Sequence, residues 1–440
     1  AAGLYLAPRG VRPLARGGSY VAGAEDVNAL SYNPAGLADA SDSVLLDMAL
    51  PLHGSTYTRS VYGDGVYEPA VRGTGLGLPS PTLGAVLDLG LSPRLRFGFA
   101  LAADYPLMQN WPEVRQDPVT PQRYAVGSYR GTAISKVSTG VGYRVNDVVS
   151  VGGALQLLVG NFASQTTLSA CDGALCTQPE NPDYDATIQM RASGLVVPGA
   201  NLGVQMRATP WLRFGFSWET GYRIDSPATF RVRLPSAPAY ADAEMDPTEP
   251  RGRVVMHLPQ TFRAGVEVQP VAHARLELAG TYEPWAVHDQ ISVGIESGTM
   301  KHLFALGSYG LQPMSLQRGF RNTFSARLGG EYAPTLGDDR PLHVRAGLMY
   351  EPSAVPNVMM TPMTVDLDKV LAAVGLQVSW ERLHLEATVA HVFMVDRTVT
   401  AGRVMQMNAT RPAFAGRTPV GNGTYQSSAN LVGVGARIDI

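Results

Sequence analysis

From near residue 43 to the end of the chain, apolar and polar residues alternate with the period of a half-buried strand, not that of a helix. The two faces separate most cleanly where side chains are long. In 94–105, Leu95, Phe97, Phe99, Leu101, Ala103 and Tyr105 oppose Arg94, Arg96, Gly98, Ala100, Ala102 and Asp104. In 212–223, Leu212, Phe214, Phe216, Trp218 and Tyr222 oppose Arg213, Gly215, Ser217, Glu219 and Arg223. Segments 262–269, 274–283, 324–332 and 343–351 repeat the split, with Arg and Glu on the polar face. The apolar face often ends in Tyr or Trp, which fits an aromatic girdle at a membrane interface. A soluble β-sandwich would also alternate, but its strands run only about 5–6 residues.

The connections alternate in length. Short links fall at 91–93, 145–147, 209–210, 270–271, 334–339 and 381–382, and longer polar or Pro-rich links at 58–80, 106–130, 165–193, 233–250, 293–318, 353–366 and 401–423. Six turns and seven loops join fourteen strands, the arrangement of an outer-membrane barrel. The expected fold is therefore all-β: a transmembrane antiparallel β-barrel of about 14 strands over residues 43–440. Residues 1–42 do not alternate and carry the turn Asn33-Pro34-Ala35-Gly36. A barrel of this size has a lumen too wide for wall side chains to fill, so these residues are expected to form a plug inside it.

Composition agrees with strands that face lipid. Charged residues make up 16% of the chain, against roughly 25% in soluble proteins. A net charge of −2 provides no basic field for nucleic acid. No apolar run approaches the roughly 18 residues of a membrane-spanning helix. A start at Ala1-Ala2-Gly3 is what cleavage after a small-residue site leaves, so a mature exported chain is expected. In an oxidising compartment Cys171 and Cys176 are expected to pair; a metal or redox pair is the competing reading.

The stretch Gly10–Ala38, with Ser31-Tyr32-Asn33-Pro34-Ala35-Gly36 at its end, resembles the amino-terminal hatch of the FadL/TodX (OMPP1) family of outer-membrane transporters for long-chain fatty acids and hydrocarbons. His257-Leu258-Pro259-Gln260-Thr261-Phe262 continuing to Thr281-Tyr282-Glu283-Pro284-Trp285 is similar to two of that family's strands. Arg345 to Pro356 and Tyr425 to Ile440 match further strands in order, so the resemblance spans the chain. It implies fourteen strands, a hatch, capture of substrate on external loops, and sideways exit through the wall. Ser31, Tyr32, Asn33, Pro34, Ala35 and Gly36 are the candidate gate.

Other candidate sites come from the residues themselves. Leu107, Met108, Trp111, Met359, Met360 and Met363 fall in long loops, where thioethers and an indole make adaptable apolar surface for first capture or pack over the barrel mouth. The lumen-facing Arg213, Glu219, Arg263, Glu267, Arg275, Glu277, Arg327, Glu331, Arg345 and Glu351 either bind a carboxylate headgroup or, as the better reading, satisfy one another and the plug. A charged lumen suits substrate leaving into lipid better than a full-length apolar tunnel does. No His-Glu-x-x-His or Gly-x-Ser-x-Gly motif occurs, so catalysis, metal and cofactors are not expected.

Two functions follow. The first is passive uptake of hydrophobic small molecules by a monomer surrounded by outer-membrane lipids, with no nucleic-acid partner. The second is a surface scaffold or receptor that docks a partner protein on its long loops.

Overall fold

In a computed structural model, which describes residues 5–6, 9–75, 77–103, 105–106, 109–112, 126–171, 176, 181–303, 307–336, 340–407 and 418–440, the alternating segments pair into one closed antiparallel barrel of fourteen strands. The strands are β1 (Ser43–Arg59), β2 (Val71–Gly75 and Ser80–Leu87), β3 (Leu95–Ala103 and Gln109–Asn110), β4 (Val126–Ser128 and Ala133–Arg144), β5 (Val149–Ser169), β6 (Asp185–Thr209) and β7 (Leu212–Glu219 and Tyr222–Arg233). They continue with β8 (Glu244–Leu258 and Thr261–Val271), β9 (Ala274–Glu283 and Gln290–Leu303), β10 (Gly307–Gly310, Met314–Gln317 and Thr323–Tyr332), β11 (Arg340–Glu351), β12 (Lys369–Trp380), β13 (Leu383–Met394 and Arg397–Val399) and β14 (Gly423–Asp439). The seam closes along its length, from Ser43 opposite Asp439 to Arg59 opposite Gly423. Closure leaves no open sheet edge, which a strand structure in lipid requires.

One end of the barrel carries the short turns and the other the long loops. Toward the turn end the outward side chains are apolar, among them Phe216, Leu278, Leu328 and Leu348, while Arg263, Glu277 and Arg345 point inward and are buried. Toward the loop end the polarity inverts. In β7, Gly215, Ser217 and Glu219 face the lumen before the break at 220–221, and Tyr222, Ile224, Ala228 and Phe230 face it afterwards. The odd spacing from Glu219 to Tyr222 swaps the faces, because strand side chains repeat every second residue. Tyr222 is thus buried and Arg223 exposed, the reverse of the expected faces.

A second inversion occurs in β8 across 259–260: Met256 and Val254 point inward above the break, and Arg263 and Glu267 below it. The break is sewn to its neighbours by side chains. Thr220 Oγ1 accepts from Ala200 N at 2.9 Å, and Trp218 Nε1 donates to Gln260 Oε1 at 2.9 Å. Gly221 lies where any Cβ would meet the Leu258 carbonyl.

The inversion also corrects three expected loops. Within 165–193, 233–250 and 293–318, β5 extends to Ser169, β6 begins at Asp185, β8 begins at Glu244 and β9 runs to Leu303. These extensions are apolar inside and charged outside, as a wall in water must be, so they lack the pattern that marks the lipid band.

Residues 10–40 lie inside the turn half of the lumen and are almost wholly buried. They form two short helices, α1 (Val11–Ala15) and α2 (Ala29–Tyr32), and a 3-10 turn, Pro34–Asp39. Inward glycines leave room for this backbone: a Cβ at Gly152 (β5) would overlap Pro34, at Gly203 (β6) Asn33, at Gly215 (β7) Val21, and at Gly347 (β11) Arg16 and Gly17.

Candidate functional site

Three neighbouring strands are interrupted at one height: β2 between Gly75 and Ser80, β3 between Ala103 and Gln109, and β4 between Ser128 and Ala133. Below the gap β2, β3 and β4 pair continuously, Thr82 with Ala102 and Ala103 with Ser135. Above it they pair again, Gly75 with Gln109, while Trp111 N donates to Gly127 O at 2.7 Å. Within the gap Tyr105–Pro106 leaves the barrel ladder and pairs with Tyr5–Leu6. Among the described residues, no ladder pairing joins these three strands across the interruption.

A cavity of about 250 Å³ lies against this interruption. Pro79, Ser80, Ala103 and Ala133 line it from the wall, and Leu158, Phe162, Ile224, Met256 and Ile291 from the lumen. Its apolar walls belong to the inverted upper halves of β5 and β7–β9. Nearer the turn end than Ile224 and Leu158 the lumen becomes polar: Tyr222 donates its hydroxyl to Gln156 Oε1 at 2.8 Å, and Glu219 pairs with Lys136 and with Arg263 at 2.7 Å. One charged group enters the cavity, Arg318, from the interruption in β10. Burial pulls its guanidinium below the usual arginine range, and its polar neighbour is the Tyr129 hydroxyl. That hydroxyl donates to Met363 O at 3.2 Å.

The amino-terminal segment underlies the cavity. Asn33 Nδ2 donates to Val21 O at 2.9 Å and to Val204 O at 3.0 Å, and Asn33 Oδ1 accepts from Ala35 N at 3.2 Å. Pro34 takes the first position of the 3-10 turn that Asn33 caps, where a missing N–H costs nothing. Ser217 Oγ donates to Tyr32 O, and Ser31 through Gly36 are all buried. The six candidate gate residues thus form one packed turn against β6 and β7.

The ten lumen charges face inward and meet. Arg16 bridges Glu267 (2.8 Å) and Glu277 (3.1 Å); Arg275 holds Glu25 with both terminal nitrogens (2.7 and 2.8 Å) and also reaches Glu331 (2.9 Å). Arg345 pairs with Glu331 at 2.6 Å, Arg327 with Glu351 at 3.7 Å, and Arg213 with Glu25 at 3.5 Å. Burial alone would raise the Glu25 carboxyl, but Arg275 and Arg12 hold it well below the ordinary carboxylate range. Glu277 Oε1 accepts from Val21 N (2.6 Å) and Ala22 N (3.0 Å), and Oε2 from Gly23 N (3.0 Å). Much of the network seats the amino-terminal segment, and it occupies only the turn half of the lumen. The upper half of the lumen is apolar instead, because the faces exchange beyond the break at 220–221.

Of the loop residues proposed for capture, Leu107 and Met108 lie outside the described residues. Trp111 is 4% exposed and Met360 fully buried, in a cluster with Tyr57, Trp285, Phe320, Val355 and Tyr425, and Met359 packs against it. Trp111 Nε1 donates to Pro362 O at 3.1 Å, and Met363 packs beside Phe162. These side chains fasten the 352–368 loop over the lumen and do not present an open surface. Cys171 and Cys176 form a disulfide. Among the described residues no group of His, Cys, Asp and Glu could hold a metal ion.

Tyr129, Phe162, Ile224, Met256 and Arg318 were not singled out from sequence. The shift in parity after Glu219 and across Pro259-Gln260 is a legible signal for Ile224 and Met256.

The sequence profile of the outer membrane protein transport protein family (OMPP1/FadL/TodX) matches residues 1–439. The fold is similar to a Pseudomonas aeruginosa FadL homologue, with a TM-score of 0.77, 17% identity and full coverage (100%) of both chains. It is also similar to the toluene transporters TbuX of Ralstonia pickettii (TM-score 0.61, 14% identity, 98% of each chain) and TodX of Pseudomonas putida (0.62, 13%, 99% of each). No curated protein sequence matches the chain.

Proposed function

Because the chain belongs to the OMPP1/FadL/TodX family of outer-membrane transport proteins, we propose that it is a passive channel that takes up small hydrophobic molecules and releases them sideways through the interrupted wall of β2–β4. Members of this family are multi-pass outer-membrane barrels that transport hydrophobic molecules. The observation that carries the finer reading is the apolar cavity lying against the three-strand gap. Straight passage down the lumen is opposed by residues 10–40, which lie seated among the charges below it. These residues act as a hatch belonging to an amino-terminal unit, 1–42, and the turn Ser31–Gly36 is its hinge. A ligand entering from the loop end meets apolar walls, then a polar floor, and the exit of lowest polarity is sideways into lipid.

Uptake of labelled oleate and toluene by cells with and without the assembled barrel tests the reading, together with an Asn33→Ala, Pro34→Ala variant. Faster uptake that the variant alters is expected. No uptake of either compound by the assembled barrel refutes it.

A further inference from the structure

Toward the loop end the outer face of β4–β8 carries charge of one sign. Over residues 126–133, 155–169, 189–199, 222–233 and 249–257, six arginines are exposed: Arg130, Arg191, Arg223, Arg231, Arg251 and Arg253. The same stretches expose two carboxylates, Asp225 and Glu249, although the whole chain has a net charge of −2. Asp225 pairs with Arg253 (2.6 Å) and Arg223 (3.6 Å), and Glu249 with Arg231 (2.6 Å). Farther along β8, Asp246 and Glu244 are taken by Lys301 and His302. Arg130, Arg191 and Arg251 have no carboxylate within 4.0 Å among the described residues. Arg191 and Arg251 flank Thr229 from its two neighbouring strands, each one spacing of about 5 Å away, and Arg231 follows Thr229 two residues on along the same face. A Cβ on Gly131 would stand 3.6 Å from Arg191 Nη2, which sets Arg191 beside the turn that bears Arg130. Arg130, Gln165, Gln189, Arg191, Thr229 and Arg231 line a groove of about 550 Å³ on this face.

The patch begins where the lipid-facing band ends. Leu155, Leu157 and Val196 point outward, 70%, 41% and 64% exposed. Arg191 lies five residues beyond Val196, about 17 Å along the strand and less in height because barrel strands tilt. On β8, Arg253 stands only two residues beyond the outward Val255, with Arg251 above it. The polar layer of a bilayer occupies roughly 5–7 Å outside each hydrocarbon edge. Positive charge thus runs from that layer outward, the depth of a headgroup that bears more than one phosphate. Arginines this close repel one another within the Debye length of about 8–10 Å, and a bound anion removes that repulsion. Their planar forks match phosphate oxygens in pairs. We infer that this face binds a multiply phosphorylated glycolipid of the outer leaflet. Arg130, Arg191 and Arg251 hold its phosphates, and its acyl chains lie along Leu155, Leu157 and Val196. Continuity with the apolar band favours a lipid over a soluble anion. The site is separate from the lumen and independent of the transport reading.

The test uses the full-length barrel in detergent, with assembly checked by its heat-dependent gel mobility. Native mass spectrometry compares binding of diphosphorylated lipid A with that of the same lipid stripped of both phosphates. The unmodified protein is set beside the double variant Arg191→Gln, Arg251→Gln, its Lys counterpart, and Arg382→Gln in a turn at the opposite end of the barrel. At the usual contribution of a basic residue near a membrane surface, removing two arginines should weaken binding of the phosphorylated lipid about thirtyfold. The stripped lipid should bind the unmodified protein and the Gln variant alike, Lys should restore part of the affinity, and Arg382→Gln should change nothing. Equal binding of the two lipids by the unmodified protein overturns the inference, as does an equal loss in Arg382→Gln. So does a loss below about threefold in the Gln variant. Displacement of the lipid by millimolar inorganic phosphate would make this a soluble-anion site and overturn the lipid assignment.

Discussion

Glu277 sits wholly buried on β9 with four donors on its two oxygens: the amides of Val21 and Ala22 on Oε1, and that of Gly23 with Arg16 Nη2 on Oε2. Glu277→Gln keeps the shape but not the chemistry. Whichever way the carboxamide turns, its NH2 meets two donors, so two charge-assisted bonds are lost and their donors are stranded. At roughly 1.5–3 kcal/mol for each bond to a charged group, the seat of the amino-terminal segment should weaken by at least about 3 kcal/mol. That corresponds to about a hundredfold or more in the opening equilibrium. Hydrogen exchange reads this directly, because the amides of Val21, Ala22 and Gly23 are the reporters. They should exchange at least about a hundredfold faster in the variant, with amides of β12–β14 unchanged. Glu249→Gln, which breaks only the exposed pair with Arg231 (2.6 Å), should change nothing at these sites. An increase below about threefold at residues 21–23 would refute the view that Glu277 holds the segment.

Other outcomes follow from the same geometry. Gly347→Val puts a side chain where the backbone of Arg16 and Gly17 lies, so the barrel should assemble while Arg16 becomes open to trypsin. Asn33→Ala removes one donor each from Val21 O, which keeps Gln205 Nε2 at 3.2 Å, and from the part-buried Val204 O; at about 1–3 kcal/mol for the two bonds the 29–36 turn should exchange at least about fivefold faster. Met256→Glu places a carboxylate in the apolar wall of the cavity, and uptake should fall about tenfold or more in proteoliposome assays. Because the folded Glu25 carboxyl is held well below its ordinary value, the stability it gives is full above that ordinary value and is lost progressively as pH falls from there to the depressed one. Protection of residues 20–28, taken relative to intrinsic exchange, should therefore hold steady from pH 7 down to the top of the usual carboxylate range and decline below it.

How much of this was legible in the chain depended on the range of the interaction involved. Alternation and turn residues are local, so strand faces such as Phe324–Tyr332 against Arg327 and Glu331, the fourteen-strand count and the short turns could be read directly. Lipid outside and a filled lumen inside impose one pattern on every crossing, which makes that band the most readable part of the sequence. The Gly10–Ala38 stretch was legible as a unit by its family likeness, but its partners Glu277, Gln205 and Gly347 are distant in sequence and only the folded barrel brings them to it.

The upper lumen was misread because the alternation was carried across Thr220-Gly221, where a single extra residue exchanges inside for outside. Beyond reach altogether was the placing of Arg318 in the cavity wall with no carboxylate within 4.0 Å among the described residues. One arginine among many carries no local mark of whether a carboxylate will stand within reach. That is decided by which side chains of many strands converge on one point of the lumen, and by the burial that makes a missing partner matter. The gap in the ladder is of the same kind: three separate strand interruptions come to lie side by side only through the register of β2, β3 and β4.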